Sequence, residues 1–360
     1  MSTTSRVTIT DVAKAANVAV GTVSRVLNNH ADVNAEIRER VTQAARELGY
    51  SRLRQRKRAR EQPVVTSREN IAVICFGMDD TLVQLPVISA ALQGIERSLS
   101  QQGRSLMFAN IPKGDRVPPF LVEQHVEGLI LKGPNQGELP PASESPLLSH
   151  IYRLPHVWLM GRLHGAQGDH CNFDTEAAAR LAADHLLAKG HTHVGFMNPK
   201  PGQNQFERLK SSFRIFAERN QQRFTLLESE PSGKLVWPLP AITLAAKVAA
   251  LTDQWIAMPV DQRPTAIFVP SDRTSAQLYA ALGRRGLQVG RDISVVSCNN
   301  EKSLLMSLHP SLTSVDVHAE TIGSRAVDQL LWRLQHPDEP QSFQLLVEPT
   351  LVERASVVER

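Results

Sequence analysis

From residue 71 onward the chain alternates between short apolar, β-branched runs and longer stretches with helical periodicity, and this alternation restricts the possible folds more than any other feature. The strand-like runs are IAVICF (71–76), SLMFAN (105–110), VEGLILKG (126–133), HVWLMG (156–161), HVGFMN (193–198), AIFVPS (266–271) and ISVVSC (293–298). Helical stretches at 86–102, 175–189, 206–220, 241–257, 272–285 and 320–335 lie between and after them. Apolar strands separated by crossover helices imply parallel sheets with helices on both faces. A chain of 360 residues exceeds one compact core, and residues 71–360 suffice for two such sheets. Open parallel sheets bind ligands beyond the carboxyl ends of their strands, so two facing sheets create a cleft between lobes.

The first 50 residues follow a different pattern. Thr8 stands three residues before Asp11, a capping-box-like start for a helix over 9–16 that carries Val12, Ala13 and Ala16 on one side. Asn17 stands where the chain must turn, and Asn tolerates the left-handed conformation well. A second helix over 20–28 places Val23, Val26 and Leu27 on one apolar face. A third begins after Asn34, turns Ile37, Val41, Ala44, Ala45 and Leu48 toward the first two, and stops at Gly49. Two short helices joined by a tight turn and backed by a third form a helix-turn-helix. Charge supports a nucleic-acid partner: residues 1–60 hold twelve Lys/Arg against five Asp/Glu, a net +7 that leaves −3 for the rest of a chain whose total is +4.

Residues 8–50, TITDVAKAANVAVGTVSRVLNNHADVNAEIRERVTQAARELGY, resemble the DNA-binding head of the LacI/GalR repressor family, in the TVSRVLN core and in the RERV and ELGY segments of the third helix. The resemblance implies that the second helix enters the major groove. It assigns Val20, Gly21, Thr22 and Arg25 to base contacts and Ser24 and Asn28 to the phosphate backbone, with Thr8 also among the DNA-binding residues. Arg25 is suited to bidentate pairing with guanine and Val20 to a thymine methyl group, whereas Gly21 has no side chain to read with. The family often carries Ser where this chain has Ala19.

Beyond Tyr50 the pattern breaks. Relatives continue with a Pro-Asn-x-x-Ala segment and a leucine that wedges into the minor groove from a short hinge helix. This chain reads SRLRQRKRAR over 51–60, with Arg52 and Leu53 in place of Pro and Asn and Ala59 in place of the leucine. Alanine is a poor wedge. Arg52, Arg54 and Arg56, with Lys57, Arg58 and Arg60, suit phosphate neutralisation or insertion into a narrow minor groove; a plain solvated linker is the alternative. Residues 61–69, EQPVVTSRE, have linker composition.

The body carries the same resemblance. Residues 171–197, 263–300, 309–315 and 322–331 are similar to the periplasmic-binding-protein-like effector domain of that family. The expected organisation is an all-α three-helix DNA-binding head (1–50), a basic hinge or linker (51–69), and an α/β effector-binding and dimerisation domain (70–360) of two doubly wound parallel-sheet lobes. The first lobe is expected to hold 70–170 and 317–343, the second 171–316 and 344–360, with crossovers near 170, 316 and 344. The resemblance assigns Arg208, Asp272 and Asn299 to the effector cleft. Asp272 has a helix N-cap as its alternative role, and Trp237 either stacks on a ligand ring or belongs to the core. Gly161, Ser271 and the pair Asn299-Asn300 depart from the family pattern of Asp, Asn and Asp-Asp, leaving fewer carboxylates for sugar hydroxyls.

The resulting expectation is a transcriptional regulator, a repressor, that acts as a homodimer on a pseudo-palindromic double-stranded DNA operator and responds to a small carbohydrate-like effector. The carboxyl-terminal residues 352–360 lack the leucine heptads that tetrameric relatives use. The alternative is a body that responds to a protein partner. Cys75, Cys171 and Cys298 are too scattered for a disulfide framework or a zinc motif, and His191 and His193 lack a third ligand at zinc spacing, so no metal or cofactor is expected. No nucleophile elbow or P-loop points to an enzyme. With no long apolar run and no apolar stretch in MSTTSRVTITDV, the expected location is the cytoplasm, at the nucleoid, with no membrane partner.

Overall fold

The computed structural model describes residues 7–27, 33–48, 50, 70–77, 86–134, 136–163, 165–231 and 244–360. The chain divides into two compact units, Met1–Thr66 and Ser67–Arg360.

The smaller unit is built from α1 (Ile9–Ala16), α2 (Val20–Leu27) and α3 (Ala35–Glu47). The capping box forms as the spacing predicts: Thr8 N–H donates to Asp11 Oδ2 at 2.7 Å, and Asp11 N–H donates to Thr8 Oγ1 at 3.4 Å. Asn17 ends α1 in the left-handed region, with φ 49°. Arg40 on α3 then donates to the carbonyl of Ala16 at 2.7 Å, so the third helix holds the carboxyl end of the first. Val12, Ala13, Ala16, Val23, Val26, Val41, Ala44 and Ala45 form the core, with Ile37 and Tyr50 packed against it.

The larger unit contains β1 (Asn70–Phe76), α4 (Pro86–Gln101), β2 (Ser105–Ile111), α5 (Pro119–Val122), β3 (Gly128–Lys132), α6 (Pro146–Ile151), β4 (His156–Leu159) and β5 (Asp169–Phe173). These are followed by α7 (Thr175–Ala188), β6 (His193–Asn198), α8 (Asn204–Arg219), β7 (Arg223–Glu228), α9 (Leu244–Ala257), β8 (Ala266–Phe268) and α10 (Asp272–Gly283). The chain closes with β9 (Ser294–Asn299), α11 (Lys302–Leu305), β10 (Thr313–Asp316), α12 (Ala319–Gln335), β11 (Gln344–Val347) and β12 (Thr350–Val352). Two six-stranded sheets result, in the orders β11-β5-β4-β3-β1-β2 and β12-β10-β9-β8-β6-β7. Every pairing is parallel except that of β10 with β12, as apolar strands separated by crossover helices require. Among the described residues no helix is long and apolar enough to cross a membrane.

Two lobe boundaries differ from the sequence expectation. β5 pairs with β4 and β11 in the first sheet, so the first crossover falls at Asp174 rather than near 170. β11 also belongs to the first sheet, which moves the third crossover from near 344 to between Val347 and Thr350. Similarity to the family begins at Cys171 and runs through β5 into α7 without a break in pattern, so it cannot mark where the chain changes sheets. The second passage of chain between the sheets runs between Asp316 and Ala319.

The first lobe is tightened where α4 meets α12. A Cβ on Gly94 would lie 1.9 Å from the Glu320 carbonyl oxygen, and one on Gly323 would lie 2.0 Å from that of Ala91. Ser324 Oγ donates to the Gly94 carbonyl at 3.1 Å across the same crossing. Beneath the sheet, Arg333 grips the buried Asp169 through bonds of 2.6 and 3.0 Å, and Gln329 and the Phe343 N–H complete that carboxylate.

Candidate functional site

The smaller unit presents one helix as a reader. Burying Val23 and Val26 of α2 turns Val20, Gly21 and Arg25 outward, with Thr22 and Ser24 half-buried on its flanks. Val20 is 43 % exposed, which sets aside a packing role for it. Around Gly21 an added Cβ would meet nothing within 4 Å. Thr8 is exposed, but its hydroxyl donates to Asp11 Oδ2 at 2.6 Å and so serves the cap of α1. The Ala19 carbonyl accepts from Thr22 N–H at 2.9 Å and Val23 N–H at 3.2 Å, starting α2 without a capping side chain. Asn28, Arg52, Arg54 and Arg56 lie outside the described residues.

In the larger unit the carboxyl ends of the strands carry the polar groups. Asn299 and Asn300 at the end of β9 both have positive φ, 112° and 54°, a conformation Asn accepts better than most side chains. This gives a physical reason for Asn at both positions. Asn299 is half-buried, whereas Asn300 is committed to the lobe: its amide donates to Asp316 Oδ2 at 2.8 Å and accepts from Arg354 at 2.7 Å.

Asp272 departs from both roles expected of it. Ser271 caps α10 by accepting from Thr274 N–H, and Asp272 is the first residue of that helix. Its carboxylate is fully buried, accepting from Ser314 Oγ at 2.8 Å and from Glu301 N–H at 2.6 Å. Burial pushes its pKa up to about 6 against the opposing hydrogen bonds from Ser297, Glu301 and Ser314. Asp272 therefore ties α10, β10 and the loop after β9 together, with no oxygen surface left for a ligand.

Arg208 is exposed on α8. It lies near enough to His170 on β5 that, after burial and alongside Arg162, its charge helps hold that imidazole down to about 4. The next turn of α8 is anchored: Lys210 bonds Glu207 at 2.6 Å and Glu228 at 2.8 Å, and Asn198 bridges the same two carboxylates. Trp237 lies outside the described residues.

Three side chains that sequence reasoning missed connect the lobes. Gln205 donates to the Met160 carbonyl and to Asn172 Oδ1, both at 3.0 Å. Gln136 donates to the Pro201 carbonyl at 2.7 Å, and Glu301 accepts from Val87 N–H at 3.2 Å. No motif flags them, because each partner lies on the other lobe, far away in sequence. The histidines are structural: His191 bonds Thr265 at 2.8 Å and the Val358 carbonyl at 3.1 Å, and His193 bonds Thr225 at 2.7 Å. No metal-holding group of His, Cys, Asp and Glu occurs among the described residues.

Comparison with known proteins places this geometry. The family profile "Bacterial regulatory proteins, lacI family" matches residues 8–52, and a "Periplasmic binding protein-like domain" profile matches 183–357. The chain is 30 % identical to the HTH-type transcriptional repressor MelR of Bacillus subtilis, over 97 % of both proteins. It is 28 % identical to the HTH-type transcriptional repressor PurR of Aliivibrio fischeri, over 98 % of this chain and 99 % of that one. A transcriptional regulator CelR–cellobiose complex is similar in structure with TM-score 0.65 and 22 % identity, covering 98 % of this chain and 100 % of that one. The lac repressor dimer bound to operator and the anti-inducer ONPF gives 0.62 and 24 %, with the same coverage. The chain belongs to the lacI family of bacterial regulatory proteins, whose relatives named above are DNA-binding transcriptional regulators and not enzymes.

Proposed function

We propose that the protein is a cytoplasmic, nucleoid-associated repressor that binds a pseudo-palindromic operator as a homodimer and is controlled by a small carbohydrate-like effector between its lobes. The observation that carries the DNA half is the outward face of α2, where Val20, Gly21 and Arg25 stand opposite the buried Val23 and Val26. A helix inserted in the major groove needs such a face, and Arg25 supplies the fork that matches guanine O6 and N7.

Dimerisation has a surface available: the edge strands β2 and β7 expose Phe108 and Leu226, and Ile215 is exposed on α8. A second copy covering these side chains removes apolar area from water and sets two heads on one operator. The effector half draws support from Arg208, whose charge reaches His170 on the other lobe, from Asn299 at the carboxyl end of β9, and from the neighbour crystallised with cellobiose.

Operators selected from random DNA provide the test. Arg25→Ala is expected to weaken binding by about 1–3 kcal/mol and to relax the guanine preference at one position per half-site. Unchanged selectivity in that variant removes Arg25 from the major groove. Release of the operator by members of a sugar panel, read by fluorescence anisotropy, tests the effector; a wholly silent panel refutes the carbohydrate reading.

A further inference from the structure

Glu301 belongs to the second lobe, between β9 and α11, yet its side chain reaches the first. Its Oε1 accepts from Val87 N–H, 3.2 Å away in the first turn of α4. α4 is a sixteen-residue helix with no acidic residue in its own first turn, so that N–H is one of the donors its start leaves unmatched. Glu301 is 8 % exposed, and its second oxygen, Oε2, is buried with no hydrogen-bond partner among the described residues. A buried carboxylate whose second oxygen has only the Asn299 amide in its vicinity, outside good hydrogen-bonding geometry, is costly when ionised and less so when neutral.

The geometry points to Glu301 as a proton-operated latch between the lobes: neutral, it stays buried against the start of α4 and holds the cleft closed; ionised, it favours the open, hydrated form. Among the described residues the groups facing it are few. Asp272 and Arg273 lie on α10, Cys298 and Asn299 on β9, and Arg354 acts from behind Asp272; the first turn of α4 contributes only its backbone N–H. Burial, and then the Asp272 carboxylate, push Glu301 up to about 7, against the Val87 hydrogen bond, Arg273 and a weaker hydrogen-bonding contribution from Asn299.

The sign follows from linkage. In the open cleft water relieves the burial and lowers the Glu301 value, while Asp272 stays beside it on the same lobe, so the closed form binds the proton more tightly and closure strengthens as pH falls through 7. Between pH 8 and pH 6 the closed-to-open ratio should rise by up to about tenfold.

The test uses the full-length protein with fluorophores on Glu123→Cys in the first lobe and Arg284→Cys in the second, both exposed positions, and reads energy transfer between pH 8.5 and 5.5. The wild type should close as pH falls. Glu301→Gln, neutral and still able to accept from Val87, should remain closed with a flat pH response. Val87→Pro, tolerated in a first helical turn but without the N–H, should open the cleft while leaving the fold intact. A flat wild-type response, a Glu301→Gln response parallel to the wild type, or a Val87→Pro protein as closed as the wild type would each overturn the latch.

Discussion

Replacing Gly323 with alanine tests whether α4 and α12 pack through their backbones. The new Cβ would lie 2.0 Å from the Ala91 carbonyl oxygen, an atom of the facing helix that no rotamer change can remove. Relieving the clash requires α12 to move by about 1 Å, which loosens Ile322, Ala326, Val327 and Leu330, all fully buried. Overpacking of this kind costs up to about 3 kcal/mol. The gain in helix propensity returns about 1 kcal/mol, leaving a net loss of about 2 kcal/mol. For a unit of this size, Ser67–Arg360, that lowers the melting midpoint by about 3 °C. Scanning calorimetry of the full chain is the assay. Gly283→Ala in the same unit is the control, because its Cβ would meet nothing within 4 Å and should give a small stabilisation. A Gly323→Ala protein that melts at or above the wild type would refute the close-approach argument.

The remaining predictions concern the cap and the buried ion pair. Ala19→Ser should add a side-chain acceptor at the start of α2 and raise the stability of the smaller unit by about 1 kcal/mol, measured by circular dichroism melting. Arg333→Met leaves the Asp169 carboxylate, 1 % exposed, without its guanidinium and should cost about 3 kcal/mol in urea unfolding near neutral pH. Burial alone would raise Asp169, but Arg333, Gln329 and the Phe343 N–H outweigh it and hold its pKa below the usual 3.8. A depressed carboxylate contributes stability above its unfolded value and loses it as pH falls, so the wild type and the variant should converge below about pH 4. A constant gap between them down to pH 3 would contradict that assignment.

The smaller unit was legible in sequence because each of its signals is local. Thr8 and Asp11, Asn17, and the spacing of Val23 and Val26 all act within a few residues of one another. The strands β1, β3, β4, β6, β8 and β9 of the larger unit were legible for the same reason, being continuous apolar runs. β5, β7, β10, β11 and β12 were missed: β7 and β11 are partly exposed edge strands whose RFTLLE and QLLV do not stand out against helical or loop sequence, β12 is three residues long, and the interior strands β5 and β10, DHCNF and TSVD, are short and largely polar. The cleft was the least legible part. Asp272 matches a family pattern yet spends both oxygens inside its own lobe, whereas Glu301 and Gln205 match none and cross to the other lobe. A sequence motif carries residue type and spacing, and says little about which partner a side chain finds across a gap created only by the fold.

The connection between the lobes determines what kinds of motion they can make. Three passages of chain link them, at Asp174, between Asp316 and Ala319, and between Val347 and Thr350. His318 sits in the second passage with φ 54°, and its Nε2 lies 3.0 Å from Thr350 Oγ1 in the third. A single connection would permit twist, slide and swing alike. Three adjacent connections, two of them joined by a side-chain hydrogen bond, suppress twist and slide and leave bending about one axis as the soft mode. A ligand in such a protein cannot choose among many rearrangements; it can only decide how far along one arc the two lobes rest.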